Sequence, residues 1–407
     1  MTGAADTTPE EAIPPKAAGG DLPIGKAAIF GFAVAHFSHH VTNSLLSPLL
    51  PLIRDTFALS YTQQGLAVSA FSLSVGLANA PLGVLADRIG SRAVLAGGLV
   101  LLGLSSIALA LTGAFWQLLV VLVLMGIISG TYHAPAVALI SRAFPERGRG
   151  AVMGLHTTGG HMSFFAAPLV AGAVATAAGT WRAPYLLFAI APIVSGILLW
   201  QLAPRGHVRA PSRGRLAAIR EVLGVFRTVG RVVTFSIVFQ LAFAAYMAFL
   251  AIYLVDARGL HPAVAAALYG LPQLAGIFGA PVGGWLSDRL GRRAVIAMGL
   301  GALGPAMWLF TVAPNELVFL PLLVIGIAGA VRMTVTEVLV AESAPVERRA
   351  TVLGTYYLLA AEVGGLAAPG LGILATAVGI ATAFSVVALA ATGLSALLIV
   401  LALARRL

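Results

Sequence analysis

A ten-residue segment occurs twice, almost half a chain apart. Gly83-Val84-Leu85-Ala86-Asp87-Arg88-Ile89-Gly90-Ser91-Arg92 returns as Gly284-Trp285-Leu286-Ser287-Asp288-Arg289-Leu290-Gly291-Arg292-Arg293, aspartate to aspartate 201 residues apart in a chain of 407. Each copy stands between long apolar runs, so the fold must be built twice and must suit a membrane. A helix crosses the hydrocarbon core with ~20 apolar residues. By that measure spans fall near 27–50, 62–86, 93–113, 115–140, 150–178, 183–203, 231–255, 263–287, 294–313, 317–341, 350–377 and 380–403. The expectation is an all-α membrane protein with twelve transmembrane helices in two pseudo-symmetric six-helix bundles. The bundles take residues 27–203 and 231–407, with a cytoplasmic tail at 1–26 and a cytoplasmic linker at 204–230.

Composition agrees. Hydrophobic residues are 59% of the chain and charged residues 10%, against about 25% charged in soluble domains, so most of the surface must face lipid. The net charge of +10 does not signal nucleic acid, because its position explains it. Only Arg54, Arg182 and Arg258 of the 25 lysines and arginines fall in one set of alternate loops, and Arg332 lies within an apolar run. The other 21 lie in the opposite loops or the tails. This positive-inside bias puts both termini in the cytoplasm, in agreement with an even number of spans. The 23 arginines against two lysines, with abundant Ala and Gly, point to a bacterial cytoplasmic (inner) membrane protein. Residues 1–22 read as a disordered tail and not as a signal peptide. With no cysteine, disulfides and thiolate metal sites are excluded.

The linker is the most basic connection, with Arg205, Arg209, Arg213, Arg215, Arg220 and Arg227. Within it, 216–227 suits either a short amphipathic surface helix or a solvated strand of linker. The duplication runs beyond the loops: Pro145-Glu146-Arg147-Gly148-Arg149 precedes Gly154 as Pro345-Val346-Glu347-Arg348-Arg349 precedes Gly354, and Ala167-Pro168 matches Ala368-Pro369. Spans five and eleven are therefore counterparts, each glycine-rich with a late proline that permits bending.

The twice-repeated Gly-x-x-x-Asp-Arg-x-Gly-x-Arg, at the ends of spans two and eight, resembles the loop signature of the major facilitator superfamily, and the six-plus-six pattern extends that resemblance over the whole chain. It implies a latch that braces the outward-facing state. In it Gly83 and Gly284 allow close helix packing, Asp87 and Asp288 accept bonds from a facing helix end or arginine, and Arg88, Arg92, Arg289 and Arg292 complete the loops. By the same resemblance Arg142, at the end of span four, is the candidate partner of Asp87. The alternative is that the arginines only set topology. Span one, from His36-Phe37-Ser38-His39-His40 through Asn43 to Pro51, is similar to the first span of fosmidomycin-resistance-like efflux proteins. So is Gly126-Ile127-Ile128-Ser129-Gly130-Thr131-Tyr132-His133-Ala134-Pro135 in span four, although an alanine here separates His133 from Pro135.

An ionisable group at mid-bilayer costs ~3 kcal/mol or more and needs a partner or a wet cavity. His36, His40, Asn43 and Ser47 form one helical stripe, with His39 beside it. Proton-titrating cavity lining is the first reading, structural hydrogen bonding the second. Metal ligation by His36 and His40, one turn apart, comes last because no carboxylate sits nearby in this half. His156 and His161 lie in span five, and Glu362 in span eleven is the counterpart of His161. Burial would raise a carboxyl pKa and suit Glu362 to carrying a proton; a permanent pair with Arg332 is the alternative. Arg332 is the candidate holder of an anionic or carbonyl-rich substrate. Glu337 and Glu342 are assigned to contacts between the bundles and loop arginines. Gln240, Tyr246, Tyr269, Gln273, Tyr356 and Tyr357 suit a mixed-polarity ligand site.

The expectation is a non-enzymatic secondary transporter that exports a small organic compound or drug in exchange for protons by alternating access. Its alternative is uptake or exchange of a small organic anion bound by Arg332. Its partners are substrate, protons and membrane lipid, and it is monomeric. No cofactor is expected beyond the proton gradient, and no complete Gly-x-x-x-x-Gly-Lys-Ser/Thr segment suggests direct ATP use.

Overall fold

The computed structural model describes residues 26–144, 146–203, 215–344, 352, 356 and 363–404, and the side chains of those residues except 26–28, 80, 141–143, 146–151, 215–229 and 363–364. It is helical, with no strand among the described residues. The first half holds α1 (Lys26–Asn43), α2 (Leu46–Phe57), α3 (Tyr61–Ile89), α4 (Ser91–Ala110), α5 (Phe115–Ser129), α6 (His133–Ala143), α7 (Glu146–Ala178) and α8 (Arg182–Leu202). The second holds α9 (Arg215–Asp256), α10 (Pro262–Leu290), α11 (Arg292–Val312), α12 (Phe319–Glu342), α13 (Ala367–Val378) and α14 (Ile380–Leu403).

Nine helices among the described residues are long and apolar enough to cross a membrane, or ten when the bent α3 is one span. The expected count of twelve is therefore not reached directly. Three of the spans read from the sequence account for the difference. Span one is broken into α1 and α2, span eleven is described mainly through α13, and span two bends by 47° just before Pro81. Span four, too, is two helices, α5 and α6. The breaks in spans one and four have the same cause. Each lies four residues before a proline, Ser44 before Pro48 and Thr131 before Pro135, where the proline ring crowds the carbonyl and the i→i−4 bond is lost. The 216–227 stretch is helical, but as the opening turns of α9, continuous with span seven and not a separate element.

The halves repeat one another in packing. α4 lies against α8 as α11 lies against α14, and α3 against α5 as α10 against α12. Glycines mark the repeat. A Cβ at Gly126 would stand 2.4 Å from the Phe71 carbonyl oxygen, and one at its counterpart Gly326 would stand 2.1 Å from that of Pro272. Gly103 and Gly304 are crowded in the same way, at 2.6 Å from the oxygen of Ala189 and 2.4 Å from that of Ala391. Only a missing side chain lets these backbones touch. The repeated loops agree as well: Gly90 has φ 99° and Gly291 φ 87°, a region that favours glycine, and each turns the chain between consecutive helices.

Several polar contacts join the halves at the end away from the repeated loops. Arg54 at the end of α2 pairs with Asp256 at the end of α9. The Tyr61 hydroxyl donates to the same carboxylate at 2.8 Å, Thr62 and Thr376 are 3.0 Å apart, and Ser69 donates to the Gly365 carbonyl at 2.8 Å. Gly65 would drive a Cβ to 2.6 Å from the Ala368 oxygen. All of these contacts lie away from the repeated loops.

Candidate functional site

The two broken helices determine where the imidazoles gather. The end of α1 and the start of α6 place His36, His39, His40 and His133 together, and α7 adds His156. The His36 and His156 rings stack at 4.1 Å between centroids, and His39 stacks on the buried Tyr132 at 4.3 Å. His36 Nδ1 lies 2.8 Å from the His156 carbonyl oxygen, and His156 Nδ1 lies 3.1 Å from that of Phe32. A carbonyl only accepts, so both Nδ1 atoms carry hydrogen. The Nε2 of a neutral His36 is then a bare lone pair, and it faces His40 Nε2 at 3.1 Å. One proton must lie between these two rings. Asn43 turns from the predicted stripe to His39, 3.2 Å from its Nε2, and donates to Ser129 Oγ at 2.7 Å. One ring nitrogen each from His36, His40 and His133 lies within 4.8 Å of the others, so these three could hold a metal ion.

The second half contributes a cation. Arg332 on α12 is 2% exposed. Its guanidinium donates to the Ser236 carbonyl at 3.1 Å, to Ser236 Oγ at 2.8 Å and to Gln240 Oε1. Those partners are neutral, and Arg332 enters no ion pair among the described residues. Between the halves lies a cavity of about 290 Å³. His161 and Thr158 line it from the first half, and Gln240, Gln273, Phe243 and Arg332 from the second.

Several expectations need correction. Tyr246 does not line the cavity; it is fully buried, donates to the Met307 carbonyl at 3.1 Å, and packs on Phe310 and Phe384. Tyr269 reaches Ser47 across the interface and is not among the cavity-lining residues. Glu342 joins Arg292 at 2.9 Å within one half and makes no bridge between halves. Arg292 also pairs with Asp288, one turn away. Gly83 and Gly284 make no close helix contact: a Cβ at Gly83 would meet only Ala134, at 3.9 Å, and one at Gly284 nothing within 4 Å. Asp87, Arg88, Asp288 and Arg289 are exposed. Arg92 instead donates to the Trp200 carbonyl and lies over its ring, and Arg289 lies 4.0 Å over Trp285. Tyr357, Glu362 and the side chain of Arg142 lie outside the described residues.

Sequence reasoning missed Ser236, although it stands one turn before Gln240 and completes a polar stripe toward Arg332. It also missed Asp256, which sits 201 residues after Asp55 and so was legible from the duplication.

A family model for the Major Facilitator Superfamily matches residues 32–369 and again 232–406. The chain belongs to the major facilitator superfamily. It is accordingly a multi-pass membrane protein of a transporter family. The hexuronate transporter of Bacillus subtilis is 28% identical over 61% of this chain and 61% of its own length. A probable nitrate/nitrite antiporter of Thermus thermophilus is 30% identical over 62% of this chain and 58% of its own length. The chain thus spans about three fifths of these two relatives. The fosmidomycin resistance protein of Escherichia coli is 24% identical over 84% of this chain and 85% of its own length. Among solved structures, a bacterial homologue of the human lysosomal transporter Spinster, inward-facing and unoccupied, superposes with a TM-score of 0.76 at 19% identity over 94% of this chain and 96% of its own. That likeness is one of fold.

Proposed function

We propose that this superfamily member exports a small organic compound in exchange for protons, by alternating access, with Arg332 holding a negatively charged or carbonyl-bearing group of the substrate. The observation that carries this reading is the cavity between the halves, with His161 on one wall and Arg332 on the other. Arg332 is a buried cation whose hydrogen-bond partners are neutral, with the Glu337 carboxylate near enough to act on it, and it lines the cavity where a ligand would meet its charge. The imidazole cluster of α1, α6 and α7 is the proton-handling part: the single proton between His36 and His40 is a site that can be loaded and emptied. Glu362 is assigned a second proton-carrying role. The fosmidomycin resistance protein among the relatives supports export. The charge bias supports a bacterial cytoplasmic membrane with both termini, and the loop end, in the cytoplasm. The described arrangement is then inward-facing, and the repeated loops are latches that engage when the halves close at that end.

The test is reconstitution of the purified protein into liposomes with an imposed pH gradient. Compounds that stabilise the detergent-purified protein against heat are chosen first, from a panel of carboxylates, phosphonates and lipophilic drugs. Each compound should drive proton movement opposite to its own. Transport that ignores the gradient and is competed by carboxylates would instead support uptake or exchange of an organic anion. The neutral partners of Arg332, and relatives named for hexuronate and nitrate/nitrite, favour that second reading.

A further inference from the structure

We propose that His36, His40 and His133 form a binding site for one divalent transition-metal ion of the class that prefers imidazole, such as zinc or copper. The three ring nitrogens already lie within 4.8 Å of one another, and the His36–His40 pair is at 3.1 Å. A tetrahedral ion with metal–nitrogen bonds of about 2.0–2.1 Å asks for nitrogens roughly 3.3 Å apart. The pair needs a shift of a few tenths of an ångström, and the His133 ring a larger swing.

The His36 tautomer favours coordination. A metal-ligating histidine usually donates its other N–H to a carbonyl or carboxylate, which fixes ring and tautomer. His36 does this: Nδ1 is committed to the His156 carbonyl at 2.8 Å, and Nε2 presents its lone pair to the site. The ring is held from behind as well, stacked on His156 at 4.1 Å and on Tyr132 at 5.2 Å. The ligands also come from two chain breaks, α1 on one side and the first residue of α6 on the other, so ordinary i, i+4 neighbours do not complete the set. His133 is exposed and His40 half-exposed, which leaves a fourth coordination position open to water or a ligand atom. An all-imidazole set without a carboxylate suits zinc, copper or nickel and disfavours calcium and magnesium.

The ion and the proton between His36 and His40 occupy the same space, so they exclude each other. Metal binding thereby goes beyond proton coupling and stands or falls separately, because it is an equilibrium measurement that involves no transport.

The experiment uses the full chain, purified without a polyhistidine tag and stripped with chelator. Titration calorimetry with zinc should find one site per chain. His40→Gln and His133→Gln should each weaken it by at least about tenfold, as loss of even an outer-shell partner does. His261→Gln, at the far end of α10, should leave it unchanged. Where a variant is poorly folded by size-exclusion chromatography, the wild type decides alone: bound copper(II) should show hyperfine coupling to three nitrogens in its paramagnetic resonance spectrum. Absence of a stoichiometric zinc site, binding that survives both His40→Gln and His133→Gln, or a copper spectrum with one nitrogen or none would overturn the proposal.

Discussion

The two halves share a scaffold and differ in what they put at its centre. Their packing repeats down to the carbonyls that crowd Gly126 and Gly326, and their loops turn on Gly90 and Gly291. Their ionisable groups differ, however: the first half gathers a group of imidazoles and presents His161 to the cavity, and the second presents a single guanidinium held by Ser236 and Gln240. Imidazole can gain and lose a proton near neutrality, whereas guanidinium keeps its charge. Duplication preserved the scaffold, and divergence divided the chemistry: titratable rings in one half, a fixed guanidinium charge in the other. The asymmetry suits a carrier that must couple two different cargoes.

That contrast can be broken at its strongest point first. Replacing Arg332 with Gln removes the fixed charge while keeping a donor, and transport of the selected substrate should fall by at least about tenfold, the value of hydrogen bonds to a charged group. Unchanged apparent affinity would mean that the guanidinium is structural. Next is the switchable side. His40→Gln should abolish accumulation driven by a pH gradient yet leave substrate counterflow running, since the cavity wall of the second half is intact. Full gradient-driven accumulation in that variant would remove the imidazoles from coupling.

A smaller effect is expected where the halves join. Asp256→Asn weakens the pair with Arg54, both side chains being partly exposed at 15% and 20%. A loss of up to ~1 kcal/mol should shift the balance about fivefold toward the state open at that end, read from spectroscopic distance distributions. No shift would place the hold on the glycine contacts instead. The smallest expected effect separates packing from function: Tyr246→Phe should cost about 1 kcal/mol of stability for one hydrogen bond, with transport unaltered. Altered substrate selectivity would return Tyr246 to the site.

Much of this was legible without coordinates because it is written as repetition and charge. The 201-residue offset gave the two halves, and the sparse interior charges pointed to His36, His40, His161 and Arg332. What escaped depends on rotation about helix axes. From Ala245 to Leu254, α9 is buried on all sides, so no amphipathic stripe indicates which way Tyr246 points. Ser236 and Gln240, one turn apart, did carry such a signal. Spans one and four read as continuous from hydropathy, which does not distinguish a proline that bends a helix from one, such as Pro48 or Pro135, that breaks it. Gly83 and Gly284 illustrate a different limit. The family latch is expected to close in another state, and a sequence motif does not say which state a structure holds.

The central claim is that the halves rock about a cavity they share. It is tested most directly by double electron–electron resonance on spin-labelled pairs, which this chain accepts cleanly because it has no native cysteine. Thr62→Cys with Thr376→Cys reports the joined end, and Ile89→Cys with Leu290→Cys the loop end. Across conditions that change substrate and pH, the account predicts opposite movements, one pair lengthening as the other shortens. Two distances that stay fixed, or that rise and fall together, would contradict it.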